Sequence, residues 1–505
     1  MKVTRRRTLF YRPPLWRRPS NLYRLFAMAV VILAGIWIST RLHSGAVRNP
    51  FDPTPTSTRT TGSWTQEGQA YFAAGRLDDP NSDQDAIFAY QQATKADPTN
   101  AQTWAELARI QAYSSRMLSN DADRLNRLTE ALQSADQAAK LAPENSNVLA
   151  IRAFVLDWNA DPALDGLRAG GKTAADFYFE ADAVALKATS LDNKNPLAYA
   201  YYSEILVDEQ KWDQANQYLP TALKLGPQIM DVHRVYAQYL ESVGNYQQAI
   251  EEYKNAIKID PNLTFLYISV GQNYRTLGLK SPIASEQDQF YAQAIDTFVQ
   301  AVTINNQLQV KDPLPYVAIS KVYAQEGQFL AAALNAEKAV ELDPTNADLY
   351  GQLGNIYKRG RNFETSIIAL KCAIRGCTPT ESCAARNGCA VGDSGVQVKP
   401  LSLNPNSATY YLDYGSVLSA FAPLHPEYCP EVVSVLTQLE QTYPDNTVII
   451  RNADVGLSIC AEVSVALTQT PLPGSVPVMT PNGTPGATVK ATQAATPTPG
   501  YTLQP

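Results

Sequence analysis

Histidine is nearly absent from this chain. Its 505 residues hold three, His43, His233 and His425, too few and too scattered for a histidine triad or a histidine metal site. Cysteine is sparse as well. The six cysteines include a cluster spaced five, six and six residues apart, without the paired C-x-x-C of most zinc sites. No strand–helix–strand pattern is visible, and acids are missing from the first 24 residues, which carry Lys2, Arg5, Arg6, Arg7, Arg12, Arg17, Arg18 and Arg24. Against a formal net charge of −6 overall, that +8 segment leaves −14 for the remainder. So acidic a body excludes a DNA- or RNA-binding face. No metal, cofactor, nucleic acid or catalytic activity is expected.

The stretch after the basic segment is apolar. Leu25 to Thr40, "LFAMAVVILAGIWIST", has no charge. As a helix it would extend roughly 24 Å, short of the roughly 30 Å hydrocarbon core. Arg24 and Arg41 would make up the difference by snorkelling. Residues 25–41 therefore read as a retained single-pass anchor, with cleavage after Ser44–Ala46 as the alternative. By the positive-inside rule, residues 1–24 stay in the cytoplasm and the body lies outside the cytoplasmic membrane. A Pro/Thr linker covers 42–63. The Pro/Thr-rich stretch 462–505 has the composition of a disordered tail.

Between them a 34-residue period recurs. "NYQQAIEEYKNAIKIDPN" (245–262) places Ala249 and Ala256 around Tyr253, with Pro261 closing the stretch; Ala215, Leu219, Ala222 and Pro227 stand 34 residues earlier. "DLYGQLGNIYKRGRNFETSIIALKCA" (348–373) and "LPYVAISKVYAQEGQFLAAALNAEKAVELDPTN" (314–346) repeat the order of bulky, small and aromatic residues. Copies near 196, 230, 313 and 347 keep the full pattern; those near Trp104 and Tyr267 are interrupted by insertions. Helix pairs with this period cannot bury their apolar faces singly and must stack.

The pattern resembles the tetratricopeptide repeat family over residues 64–461. The resemblance implies an all-α superhelical solenoid of eight or nine helix–turn–helix repeats. It further implies a scaffold that binds a protein or peptide in a concave groove lined by the first helices, holding an envelope or secretion complex together. The groove-facing slots would be Arg109, Glu204, Arg234, Gln238, Gln272, Arg275, Lys321, Asn355 and Lys358, the alternative being ordinary solvated polarity. Some members grip a terminal carboxylate with Lys, Arg and Asn on adjacent repeats. Phe265 and Ser269 stand where Lys and Asn would be needed here, so no such clamp is expected. A non-catalytic accessory subunit of an envelope enzyme is the alternative function.

Two further features carry their own alternatives. "GLRAGGKT", Gly166 to Thr173, fits the phosphate-loop spacing but lacks the strand before it, which leaves nucleotide binding a remote reading. Cys372, Cys377, Cys383 and Cys389 sit in an insertion (372–400), with Cys429 and Cys460 near the end. Outside a membrane an even count favours disulfides over metal or free thiols. The cluster allows three connectivities. Cys429, opening a second helix, and Cys460, ending the next, form a plausible pair. That last helix is expected to cap the solenoid by burying Val448, Ile449, Val455 and Ile459.

Overall fold

A computed structural model describes residues 22–43 and 59–469, apart from Pro80, Asn81, Ser119, Ala169, Ala390 and Val391. The basic residues 1–21, the cleavage alternative at Ser44–Ala46, most of the linker and residues 470–505 of the tail lie outside the described residues.

The apolar run forms helix α1, Leu22–His43, whose side chains from Tyr23 to Trp37 are exposed. Among the described residues, no helix is long and apolar enough to cross a membrane. Among the described residues nine antiparallel helix pairs follow. The first five are α2 (Thr61–Ala73) with α3 (Ala86–Ala96), α4 (Ala101–Ser115) with α5 (Asp121–Leu141), α6 (Ser146–Asn159) with α7 (Ala174–Leu191), α8 (Pro196–Asp208) with α9 (Trp212–Leu225), and α10 (Met230–Ser242) with α11 (Tyr246–Ile259). The next three are α12 (Thr264–Lys280) with α13 (Ala284–Leu308), α14 (Leu314–Gln325) with α15 (Phe329–Leu342), and α16 (Ala347–Arg359) with α17 (Phe363–Ile374). A short α18 (Pro379–Ala384) lies in the cysteine-rich insertion. The last pair is α19 (Ala408–Phe421) with α20 (Cys429–Thr442), and α21 (Thr447–Gln469) closes the stack. Among the described residues strand structure is limited to one isolated bridge, Cys377 to Val398.

Local chemistry fixes these boundaries. After the proline that ends a second helix, an asparagine caps α4, α6 and α16. Asn100 Oδ1 accepts from Thr103 N at 3.1 Å, Asn145 Oδ1 from Val148 N at 3.1 Å, and Asn346 Oδ1 from Asp348 N at 3.0 Å. Each such cap contributes about 1 kcal/mol. Inside a pair, glycine on the first helix admits a large side chain from the second: Gly68 lies under Tyr90, Gly271 under Phe298, Gly354 under Leu370 and Gly415 under Leu436. Ala249 and Ala256 are completely buried and Tyr253 nearly so. The small residues are where neighbouring helices touch.

The insertions go into helices as well as loops. The extra residues between Tyr274 and Ala294 lengthen α12 and carry α13 to 25 residues. In the cysteine-rich insertion Cys372 pairs with Cys377 and Cys383 with Cys389, and Leu401 N donates to Ala373 O at 2.8 Å, holding the segment on α17. Cys429 pairs with Cys460, their Cα atoms 5.3 Å apart. Cys460 does not end its helix, as expected from sequence; α21 continues to Gln469, beyond the expected edge of the body at 461. The cap also turns a different face inward. Val448 and Val455 are exposed, while Ala453, Gly456 and Cys460 form the buried seam with Ile449 and Ile459 beside it. Small residues again win the contact, because α21 approaches Leu436 and Ser419 closely at Gly456.

The superhelix winds tightly enough to meet itself. Asn262 Nδ2 donates to Ala73 O at 3.1 Å, Gly75 abuts the Asn262 backbone, and Tyr113 stacks on Phe265 with ring centroids 5.2 Å apart. Further along, Asn406 Nδ2 donates to Asp121 Oδ2 at 3.4 Å.

Candidate functional site

All nine slots expected to face the groove lie on first helices: Arg109 on α4, Glu204 on α8, Arg234 and Gln238 on α10, Gln272 and Arg275 on α12, Lys321 on α14, and Asn355 and Lys358 on α16. They do not form one groove.

In the first five pairs the inward side is filled. Arg234 Nη1 and Nη2 donate to Glu204 Oε1 and Oε2 at 2.7 and 2.6 Å, and the two side chains are 6% and 2% exposed. Trp158 Nε1 donates to Glu204 Oε1 at 3.0 Å, and Arg234 Nε to the Tyr113 hydroxyl at 3.1 Å. Arg109 Nη1 donates to Asp231 Oδ2 at 3.1 Å; the hydroxyls of Tyr113 and Tyr201 donate to the other oxygen of that carboxylate. Phe154 stacks on Tyr201 at 4.6 Å. Burial works against the charge of Arg109, but Glu106 and Asp231 outweigh it and hold its guanidinium well above its ordinary value. Gln238, half-buried, donates to Asp208 Oδ1 at 2.9 Å. Arg109, Glu204 and Arg234 are therefore interior residues here, not groove-facing ones. The turn of superhelix brings their counterparts within reach and leaves no room for a guest.

Beside this network Asp157 is buried, and among the described residues no donor reaches either of its oxygens. Burial first, then the charges of Asp208 and Glu204, push its carboxyl well above the usual range, and Asp208 itself is pushed up to about 7, mainly by burial.

From α12 onward the inward side is hollow. A cavity of about 1030 Å³ is lined by Arg275, Ser320, Lys321, Asp348, Gln352, Asn355 and Arg359 from successive first helices. The start of α5 supplies Asn120 to Asp123 as one wall, and the end of the insertion with the segment after it supplies Gln397, Lys399 to Ser402 and Asn404 as another. An adjoining cavity of about 210 Å³ shares Arg275 and Lys321 and includes Gln272. Asp348 accepts from Tyr410 Oη at 2.9 Å and Gln352 Nε2 at 2.6 Å; Asn355 Nδ2 donates to Asp413 Oδ2 at 2.6 Å. Lys358 also pairs with Asp413 and is not part of the cavity wall. Desolvation holds Lys321 below its usual range, with Asp348 opposing and Arg275 adding to the shift. Arg275 is lowered by desolvation too. Sequence reasoning missed Arg116, Gln352, Arg359 and Lys399, all on cavity walls. Two of these, Gln352 and Arg359, sit on the same helix as expected slots; Arg116 and Lys399 border insertions, where the repeat pattern gives no register.

The phosphate-loop spacing has no phosphate-loop geometry. Pro162–Leu167 is a 3-10 turn following α6. At the start of α7, Asp165 accepts from Ala174 N at 2.9 Å and Thr173 forms a reciprocal cap with Asp176. Lys172 Nζ reaches Glu180 at 2.8 Å. Carboxylates already hold the amides and the ammonium that a phosphate would need.

Family models described as tetratricopeptide repeat match residues 204–263, 315–346 and 335–368. The mouse BBSome complex member BBS4 is 25% identical over 181 residues, 35% of this chain and 32% of that protein. The chain thus spans about a third of the length of the curated relative it matches. Among solved structures, the human IFIT1 dimer with PPP-AAAA is 14% identical over 81% of this chain and 83% of that one, with a TM-score of 0.47. The tetratricopeptide repeat protein TTC0263 of Thermus thermophilus is 17% identical over 42% of this chain and 98% of its own, with a TM-score of 0.33. The repeat models fall on α8–α11 and α14–α17, the pairs whose small and aromatic residues keep the full pattern. Residues 204–263 and 315–368 are tetratricopeptide repeats.

Proposed function

We propose that this protein is a non-catalytic, membrane-tethered scaffold that holds a protein or peptide partner in the hollow of its C-terminal repeats. One observation carries the reading: hydrogen-bonding side chains of α12, α14 and α16 line a cavity of about 1030 Å³ while the equivalent space in the first five pairs is sealed. Cavities of this size bury short stretches of polypeptide, and their polar walls fix orientation. Helix α1 is the tether. Its charge-free run covers about 24 Å, and Arg24 at its start lets the helix settle deeper by snorkelling. The body then lies on the outer face of the cytoplasmic membrane, a compartment compatible with three disulfides.

The test uses the full chain in its native membrane. A photocrosslinking residue replaces Gln352 on the cavity wall or, as control, Leu330, which is 78% exposed on α15. A discrete adduct from position 352, sedimenting with membranes and absent from position 330, is expected. No adduct at 352, or the same adduct from both positions, overturns the proposal.

A further inference from the structure

The smaller cavity differs from the rest of the hollow. Its floor is apolar, made by Phe265, Ile268, Phe298, Leu314 and Val317. Three cations stand around it: Arg116 at the end of α4, Arg275 on α12 and Lys321 on α14. Among the described residues no carboxylate lies within 4.0 Å of any of them. Arg116 lies 5.5 Å from the Trp158 ring centroid, and Arg275 Nε donates to Gln325 Oε1 at 2.8 Å. No acceptor within hydrogen-bonding distance is found for Lys321 Nζ among the described residues. The acid on the same wall, Asp312, is buried and turned to Leu314 N and Asn305 Nδ2 at 2.9 and 3.2 Å.

The contrast with the sealed half gives this meaning. There Arg109 and Arg234 occupy the corresponding inward positions, and each is matched by an acid of the chain itself. Here three cations from two turns of the superhelix converge with no acid in salt-bridge contact among the described residues. Asp348 acts on Lys321 only from the adjoining wall, and residues 25–505 carry a net charge of −14. Partly desolvated cations gain most from an acid brought in from outside. The apolar floor asks for something else, a bulky hydrocarbon side chain.

We infer that this pocket receives an acidic internal stretch of the partner polypeptide carrying one bulky apolar side chain. The apolar group rests on Phe265 and Phe298, and flanking carboxylates meet Arg116, Arg275 and Lys321. The inference rests on the proposed function and gives the partner a chemistry. A polyphosphate ligand fits less well, because it offers no hydrocarbon group to the apolar floor of Phe265 and Phe298.

The probe is a fluorescent, C-terminally amidated nonapeptide of Asp and Glu around one central Phe, added to the full chain in detergent micelles. Companion probes replace the acids by Lys, replace Phe by Ser, or substitute a single-stranded oligoribonucleotide. The acidic Phe peptide should bind at least about tenfold more tightly than its Lys or Ser counterparts. Lys321→Glu and, separately, Arg116→Glu should each weaken it about tenfold, and Lys321→Arg should keep it. Two reversal variants are used so that a folding defect in one, seen by circular dichroism, leaves the other to decide. Absence of binding, indifference to the peptide's charge or to both reversals, or tighter binding of the oligoribonucleotide overturns the inference. Should the crosslink from position 352 persist in that event, the scaffold reading stands and only the partner's chemistry is wrong.

Discussion

In the pairs before Pro261 the inward positions carry Tyr113, Phe154, Trp158 and Tyr201 beside Arg109, Glu204, Asp231 and Arg234; in those after it they carry Gln272, Ser320, Gln352 and Asn355. Both halves use the same helix pairs and the same small-residue contacts. They differ in what reaches the axis. Large rings fill the space in the first half, and the ionic groups caught among them must satisfy one another, because a buried charge without a partner is costly. Amides and a hydroxyl leave the second half hollow. An inward position on a repeat is therefore a core position or a binding position according to the size of its neighbours across the axis.

The hardest way to break this comparison is to open the sealed half. Arg234→Ala leaves Glu204 buried without its cation and should destabilise the first five pairs by about 3–5 kcal/mol. Denaturant unfolding followed by Trp158 fluorescence would measure it. Replacing Arg234 and Glu204 together by Leu should restore most of the loss; if the double replacement is as unstable as the single, the pair is not what seals this half. The second half is held differently. Cys429→Ser with Cys460→Ser removes a covalent loop of about 30 residues and should cost about 3 kcal/mol. Hydrogen exchange should quicken across α19 to α21 and stay unchanged near residue 250.

A subtler probe is Asp157. Whereas the buried acid of the second half, Asp312, accepts from Leu314 N and Asn305 Nδ2, Asp157 is buried with no donor to its oxygens among the described residues. Its raised value means that the stability it confers is present below the unfolded carboxylate value and is lost as pH rises through the folded one. Asp157→Asn keeps a donor toward Asp208 without that penalty. It should raise the melting temperature at neutral pH, by about 1–3 kcal/mol in stability, with the advantage shrinking toward pH 4. The smallest expected effect is at His233. Its Nδ1 lies 2.7 Å from Glu252 Oε2, and that hydrogen bond, against burial, raises its value above the ordinary histidine range. The charged pair stabilises α10 against α11 below pH 6.5 and fades as pH rises through the raised value. Glu252→Gln should lower the imidazole titration seen by NMR and cost at most about 1 kcal/mol at pH 6.

Much of the fold was legible in the sequence because its determinants are short-range. A period of 34 with Ala at fixed offsets fixes helix pairing, and antiparallel packing sets Cys429, at the start of α20, beside Cys460 within α21. The four-cysteine insertion was not legible; several pairings satisfy its spacing, and packing against Ala373 chose among them. Nor could sequence separate the sealed slots from the open ones. Arg109 meets Asp231 across 122 residues, a contact that depends on superhelical pitch summed over three repeats, and small errors in each rotation would carry it out of reach. Arg116 entered the second hollow for the same reason.

The self-contact of the superhelix has a mechanical consequence. A solenoid whose repeats touch only their neighbours behaves as a spring and lengthens under tension by small rotations between units. Here Asn262 is fastened to Ala73 and Phe265 to Tyr113, so one coil is stapled to the next. The first half cannot extend until those staples part. Load applied between its two ends meets a stiff post, and compliance is left to the repeats that follow.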